Sequence, residues 1–177
     1  MARQRKRLLI VDGYNVLRSG SRYRLSSSED YTDDAFNSAR DRLIDDVVSL
    51  AGRDSSAIIV FDGAGNQFST GQPTVVGGVR IVFSPAGQSA DKVIEKLARD
   101  ARERGVETMV VTSDASIQNT VFGYGVDRMS ADGFSREVDS YYEQAKLDDS
   151  PKVAVKNTLA ERISPEALAK LRALRDS

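Results

Sequence analysis

Short runs of aliphatic residues that each lead into an aspartate are the clearest pattern along the chain. A short apolar run bounded by turn residues is typical of a buried strand. Each aspartate is therefore predicted to stand at, or just beyond, the carboxyl end of a strand. The runs and their acids are Leu8–Val11 with Asp12, Ile58–Phe61 with Asp62, and Met109–Val111 with Asp114.

Between these runs, apolar residues recur every three or four positions, which predicts amphipathic helices. Helical stripes are predicted at 36–50, 90–101 and 134–145, with a shorter helix at about 115–122. Further strands are predicted at Val79–Phe83 and Val126–Met129. The polar segment Ser19–Asp33 and the glycine-rich segment Gly63–Gly78 are predicted to be long loops.

Strands that alternate with helices predict an α/β fold of three layers, with a mostly parallel central sheet between helices. Right-handed crossovers put the carboxyl ends of parallel strands on one edge, which is where open α/β sheets bind ligands. Residues 1–147 are predicted to form one domain. The pattern breaks at Asp148–Pro151, and 148–177 is expected to be a tail with one short helix beginning near Ser164.

The composition narrows the chemistry. The 177 residues include no histidine and no cysteine, which excludes the usual zinc ligand sets, Ser-His-Asp catalysis and thiolate catalysis. Sites built only from carboxylates, carbonyls and water suit Mg²⁺ or Mn²⁺. No apolar run approaches the length of a membrane span or of a signal-peptide core, so a cytoplasmic location without membrane contact is the simplest interpretation.

Each aspartate taken alone has an ordinary structural explanation. Asp-Gly pairs make turns, and Asp114 is placed to cap a following helix. Together, however, carboxylates on one edge repel one another unless a cation neutralises them or some take up protons. The set of Asp12, Asp62 and Asp114 therefore predicts either a bound cation or carboxyls that stay protonated.

Two further acids fall on one face of a predicted helix. Asp91 lies in its first turn, where the helix dipole favours a negative charge, and Glu95 follows four residues later. A shared cation or a nearby arginine such as Arg40 would offset their repulsion. The other interpretation of Glu95 is an ordinary solvated acid.

Five stretches between about residues 7 and 146 carry a family resemblance when taken in order: Val11-Asp12-Gly13-Tyr14-Asn15-Val16-Leu17, Ala39-Arg40 with Leu43-Ile44, Val60-Phe61-Asp62, Ser89-Ala90-Asp91-Lys92-Val93-Ile94-Glu95, and Val110-Val111-Thr112-Ser113-Asp114 with Gln118. They resemble the YacP-like branch of the NYN domains, which belong to the PIN-like nucleases. The resemblance implies a PIN-like fold, divalent-metal-dependent RNA cleavage and, as for characterised relatives, an association with ribosomes.

By position, the resemblance implies that Asp12, Asp91 and Asp114 occupy the acidic metal-site positions, with Asn15 and Asp62 at the polar positions beside them. We therefore predict a Mg²⁺- or Mn²⁺-dependent ribonuclease that cuts within single-stranded RNA. The metal would activate water and offset phosphate charge, with Glu95 as a further candidate ligand and Asn15 orienting water or phosphate.

The residues expected to contact phosphate are of two kinds. The first 24 residues hold seven arginines and lysines against one acid, which suits phosphate binding but also fits a solvated terminus. The second kind precedes a predicted helix N-terminus, where anions bind. The candidates are Arg18, Arg22, Arg40, Thr112 and Ser113.

Three alternatives remain open at this point. The first is a domain that binds RNA or ribosomes without cutting. The second is a haloacid-dehalogenase-like phosphatase, although such enzymes need a second acid two residues after the first, where this chain has Tyr14. The third is a receiver-like domain, for which the required lysine at a late strand end is not found.

Overall fold

The structure is a computed structural model that describes residues 7–23, 33–51, 55–63, 65, 69–117, 121–123 and 125–149. Its strands are β1 (Arg7–Asp12), β2 (Ser55–Phe61), β3 (Thr74–Val76), β4 (Val79–Phe83), β5 (Thr108–Val111) and β6 (Val126–Met129). Its helices are α1 (Gly13–Ser19), α2 (Asp33–Ala51), α3 (Ala90–Glu103) and α4 (Ala131–Asp149).

The strands form one six-stranded sheet in the order β3-β4-β2-β1-β5-β6. All neighbouring pairs are parallel except β3 with β4, so the predicted three-layer α/β fold with a mostly parallel sheet is confirmed. Val11 of β1 pairs with Ile59 on one side and with Val111 on the other. The carboxyl ends of these three strands therefore lie side by side.

Helix α3 covers one face of the sheet and buries a cluster that includes Leu8, Ile10 and Ile94. Helices α1 and α2 pack against the other face, mainly over β2. Because side chains alternate across a strand, the even-numbered residues of β1 face α3. This parity puts Asp12 on the α3 side of the sheet.

The structure differs from the sequence prediction in three elements. Helix α1 starts directly after Asp12, although no helix was predicted there. The predicted loop Gly63–Gly78 contains strand β3, which pairs with β4 through a two-residue turn whose glycines, Gly77 and Gly78, both have positive φ, as such tight hairpins require. The helix expected at 115–122 is not formed in its described part, because 115–117 and 121 are turns and bends.

Strand β3 stands at one end of the sheet order and is exposed along its whole length. Val75 is 64 % exposed, and its cross-strand partner is Arg80. The chain also divides into two compact units, Met1–Asp139 and Ser140–Ser177, with the boundary inside α4. The domain boundary predicted after residue 147 stays a prediction, and the helix expected near Ser164 lies outside the described residues.

A buried ion pair ties the segment after α1 to α2 and α4. Arg22 donates from Nε to Asp46 Oδ2 at 2.8 Å and forms a second ion pair with Asp139. The Tyr23 hydroxyl donates to the same Asp46 oxygen at 2.6 Å. These bonds raise the pKa of Arg22, while burial and then Asp46 raise the pKa of Tyr23. Both groups therefore stay protonated at neutral pH.

We expect Asp46→Ala to lower the free energy of unfolding by about 3 kcal/mol, because it removes the buried partner of an ion pair and leaves Arg22 paired with the more exposed Asp139. Asp46 is only 2 % exposed and is the acceptor shared by Arg22 and Tyr23. Urea unfolding followed by circular dichroism measures the change. Asp45→Ala is the control, since Asp45 is exposed on the same helix. Equal stability of the two variants would show that the buried pair contributes little.

Candidate active site

The predicted gathering of acids at the carboxyl edge of the sheet is observed. Asp12 is the last residue of β1, Asp62 follows β2, and Asp114 comes three residues after β5. The N-terminus of α3, which packs over these strands, adds Asp91 in its first turn. Four acids from four segments thus lie at one edge.

Asp12 is the buried member of this set. It is 6 % exposed, and its Oδ2 accepts a hydrogen bond from the Thr112 hydroxyl at 2.9 Å. The pKa of Asp12 is raised from 3.8 to about 6, chiefly by burial and also by the charges of Asp91 and Asp114, against hydrogen bonds from Thr112 and Asn15 that lower it. The Asp12 carboxylate is therefore short of positive charge, which is the condition that a bound cation relieves.

Asp91 and Asp114 are held together by Ser116, a residue that the sequence analysis missed. The Ser116 hydroxyl donates to Asp91 Oδ2 at 3.0 Å, and its backbone N–H donates to Asp114 Oδ1 at 2.8 Å. The bonds from Ser116 are the main cause that lowers the pKa of Asp114. Ser116 thus links the two carboxylates beside Asp12, and the lowered pKa of Asp114 keeps that carboxyl ionised at neutral pH.

Asn15 links the end of β1 to the end of β5. Its Oδ1 accepts a hydrogen bond from the Ser113 backbone N–H at 2.7 Å. The turn from Asp12 into α1 depends on Gly13, because a Cβ there would collide with the ring of Phe61. The Asp-Gly pair therefore has a structural role here, alongside the placement of Asp12 and Asn15.

The hydroxyls of Thr112 and Ser113, both predicted phosphate contacts, form hydrogen bonds within the protein. Thr112 is fully buried, and its hydroxyl donates to Asp12 while accepting from the Asp114 N–H at 3.0 Å. The Ser113 hydroxyl accepts from the Ala131 N–H at 2.9 Å, at the start of α4. The helix expected to follow Ser113 directly is not formed in the described part of 115–122, and the helix N-terminus that Ser113 contacts is that of α4. The Thr112 hydroxyl is thus enclosed within the protein, whereas Ser113 is exposed and its predicted phosphate contact stays a prediction.

The three predicted phosphate-binding arginines are placed differently from one another. Arg18 is exposed, and its Cζ lies 5.9 Å from the ring centroid of Tyr14. Arg22 is engaged by Asp46 and Asp139, so its predicted phosphate contact is replaced by a structural role. Arg40 is half-buried on α2. Of the three, Arg18 is the one that presents an exposed guanidinium beside the first turn of α1.

Asp62 and Glu95 lie outside the innermost group. Asp62 is exposed at the end of β2, and Glu95 is half-buried one turn along α3 from Asp91. The charges that raise the pKa of Asp12 are those of Asp91 and Asp114. The geometry therefore favours Asp12, Asp91 and Asp114 as the centre of the site, with Asp62 and Glu95 at its margin.

The donor chemistry of this centre fits a hard divalent cation, because it consists of carboxylate and amide oxygens. In the described part of the chain, no three acidic side chains come close enough to enclose an ion between them. Mg²⁺ does not require such a cage, since it commonly keeps several waters and binds one or two carboxylates together with substrate phosphate. An open site of this kind is what these residues can provide.

Comparison with known proteins places this arrangement in a family. The family model described as the YacP-like NYN domain matches residues 9–176. The protein YacP of Bacillus subtilis is 29 % identical over 133 residues, which cover 75 % of each chain. Crystal structures of Rae1 (YacP) from Bacillus subtilis match with TM-scores of 0.63 and 0.62, at 26 % and 28 % identity. The first covers 95 % of this chain and 99 % of that one, and the second 96 % and 95 %.

The raised pKa of Asp12 predicts a pH dependence of stability. Between about pH 4 and pH 6 the folded protein binds a proton at Asp12 that the unfolded chain has already lost, so stability should fall as pH rises through this window. The total loss from this group is about 3 kcal/mol. Asp12→Asn should remove the slope and raise the free energy of unfolding at neutral pH.

Urea unfolding at a series of pH values in EDTA tests this expectation. Asp127→Asn serves as the matched control, because Asp127 is exposed on β6. It should keep the wild-type profile. An Asp12→Asn profile that parallels wild type would mean that Asp12 is not held as a desolvated acid.

Proposed function

The chain belongs to the family of YacP-like NYN domains, and from this membership and the arrangement of its carboxylates we propose that it is a divalent-metal-dependent ribonuclease that cuts within single-stranded RNA. Family membership and the similarity to Rae1 (YacP) suggest an RNA-related nuclease role. The metal, the position of the cut and the preference for single strands are the parts proposed here.

The observation that carries the proposal is the buried Asp12 carboxyl with Asp91 and Asp114 around it. Such a group is costly to keep ionised without a cation. A chain without histidine or cysteine has few other means of activating water for phosphodiester hydrolysis. Asp12, Asp91 and Asp114 would hold Mg²⁺ or Mn²⁺, directly or through water. When bound, the ion would lower the pKa of a water ligand and offset charge on the phosphate.

The other residues of the site would orient these groups. Thr112 and Ser116 fix the carboxylates through the hydrogen bonds described above. Asn15 keeps its amide nitrogen available to donate to a water or a phosphate oxygen, since only its oxygen is used by Ser113. Arg18 would contact a flanking phosphate, because its exposed guanidinium already lies against Tyr14.

Two features support single-stranded RNA cut at internal positions. Asp62, Ser113 and Ser116 are all exposed, so the edge is an open surface across which a chain can continue in both directions. Beside it, the half-buried ring of Tyr14 packs 5.3 Å from Phe36 and 5.0 Å from Phe61, measured between centroids. Aromatic rings near a phosphate-binding edge are typical of proteins that stack unpaired bases.

The alternatives differ in what they require. A haloacid-dehalogenase-like phosphatase needs an acid where this chain has Tyr14, and that ring is packed between Phe36 and Phe61. A domain that binds RNA without cutting it would need no divalent metal. Its RNA binding would not be lost when the acids are neutralised. Association with ribosomes, which the family resemblance implies, stays a prediction.

We expect Asp12→Asn and Asp91→Asn each to reduce cleavage of a single-stranded oligoribonucleotide by at least about a hundredfold, because each removes a ligand charge from the metal. EDTA should abolish wild-type cleavage, and Mg²⁺ or Mn²⁺ should restore it. The matched control is Asp100→Asn, which neutralises an acid nine residues further along α3. Wild-type rates in the Asp12 and Asp91 variants would refute the proposed site.

A second prediction concerns the metal without catalysis. Adding Mg²⁺ or Mn²⁺ at neutral pH should raise the melting temperature of the wild-type protein, because an ion that binds only the folded state stabilises it. The shift should disappear in Asp12→Asn and persist in Asp100→Asn. Differential scanning fluorimetry measures it. An undiminished shift in Asp12→Asn would place the ion elsewhere.

A further inference from the structure

A basic residue outside the predicted set lies beside the carboxylates. Arg128 is in β6, where it pairs in register with Val110 of β5. Val126, two residues earlier, is buried in the cluster under α3. Since side chains two apart share a face of the sheet, Arg128 lies on the same face as Asp12 and Thr112.

Three residues on neighbouring strands or at their ends therefore share one face of the sheet. The strand order is β1, β5, β6, and the residues in that order are Asp12, Thr112 and Arg128. Arg128 is in register with Val110, two residues before the level of Thr112. Adjacent strands are about 4.8 Å apart and successive residues about 3.3 Å apart, so the backbones of Asp12 and Arg128, two strand spacings and two residues apart, are separated by roughly 12 Å. A phosphodiester chain that crosses this edge from β1 towards β6 passes both.

Thr112 fixes the guanidinium relative to the acids. Arg128 Nε donates to the Thr112 carbonyl oxygen at 3.1 Å, while the hydroxyl of the same threonine binds Asp12. None of the ion pairs formed within the described ranges includes Arg128. Its charge nevertheless reaches the site, because after the bonds from Ser116 it is a further cause that lowers the pKa of Asp114. An arginine anchored through Nε keeps its two terminal nitrogens as a fork suited to phosphate.

We propose that Arg128 binds the RNA phosphate next to the scissile one, on the β6 side of the carboxylates, so that the substrate crosses the edge over β1, β5 and β6. This inference rests on the proposed function, since it assumes that RNA reaches these acids. Arg128 would then be a second arginine, after Arg18, that contacts the RNA backbone. Arg128 belongs to no distinctive sequence motif.

Binding can be separated from cleavage by working in an Asp91→Asn background, which leaves the RNA intact. In that background, Arg128→Gln should weaken binding of an end-labelled single-stranded oligoribonucleotide roughly tenfold. It should also reduce the slope of log affinity against log salt by about 0.7, the value for one phosphate contact. Arg128→Lys should keep the salt slope and lose part of the affinity, because it retains the charge without the fork.

Arg104→Gln is the matched control. Arg104 is exposed at the C-terminus of α3, which runs towards the opposite edge of the sheet. It should bind RNA like its Asp91→Asn parent. In the otherwise wild-type enzyme, Arg128→Gln should raise KM with little change in kcat, as expected for a contact made equally in the ground and transition states.

The outcomes separate this inference from the proposed function. If Arg128→Gln matches Arg104→Gln in affinity and salt slope while the wild-type protein cleaves RNA, the role of Arg128 is overturned and the ribonuclease stands. If RNA binds with the expected Arg128 dependence but is never cut, Arg128 stands and the ribonuclease falls. If the protein does not bind RNA, both fall. Loss of the Mg²⁺ melting shift in Arg128→Gln would assign Arg128 to the structure of the acidic site and overturn the contact.

Discussion

The desolvated carboxyl of Asp12 is the constraint around which the rest of the edge is arranged. It terminates β1, one of the two central strands of a mostly parallel sheet, and lies on the face that α3 covers, so water solvates its charge little. One hydroxyl and one backbone N–H bind it, and neither brings a full positive charge. Asp91 and Asp114, which Ser116 holds through hydrogen bonds, add further negative charge beside Asp12. This lack of a full positive charge beside Asp12 is the observation on which the proposed cation site depends.

Much of this arrangement could be predicted from the sequence. The remaining features could not be predicted, for physical reasons. Long buried strands and amphipathic helices have periodic patterns, so the parallel sheet and the edge of Asp12, Asp62 and Asp114 were predictable. Helix α1 has seven residues, too few for periodicity to show. Strand β3 owes its existence to hydrogen bonds with β4 and to a glycine turn, and its exposed residues carry no alternation.

Roles within the site are harder to predict than its location. Whether a hydroxyl faces a substrate or another side chain depends on contacts between segments about a hundred residues apart, such as Thr112 with Asp12. The same holds for the arginines. Arg18 and Arg22 are near neighbours in sequence, yet one is exposed against Tyr14 and the other is enclosed by Asp46 and Asp139. Counting basic residues near the N-terminus could not separate a surface cation from a structural one.

The short strand β3 has a consequence for how this molecule behaves among copies of itself. A terminal strand offers backbone donors and acceptors to any other extended chain. Exposed valines such as Val75 add apolar surface that favours this association. Only three residues are available here, too few to template a stable intermolecular sheet, and Arg80 sets a charge beside Val75. The short length of β3 and the neighbouring charge of Arg80 thus oppose edge-to-edge pairing of this sheet with that of another molecule.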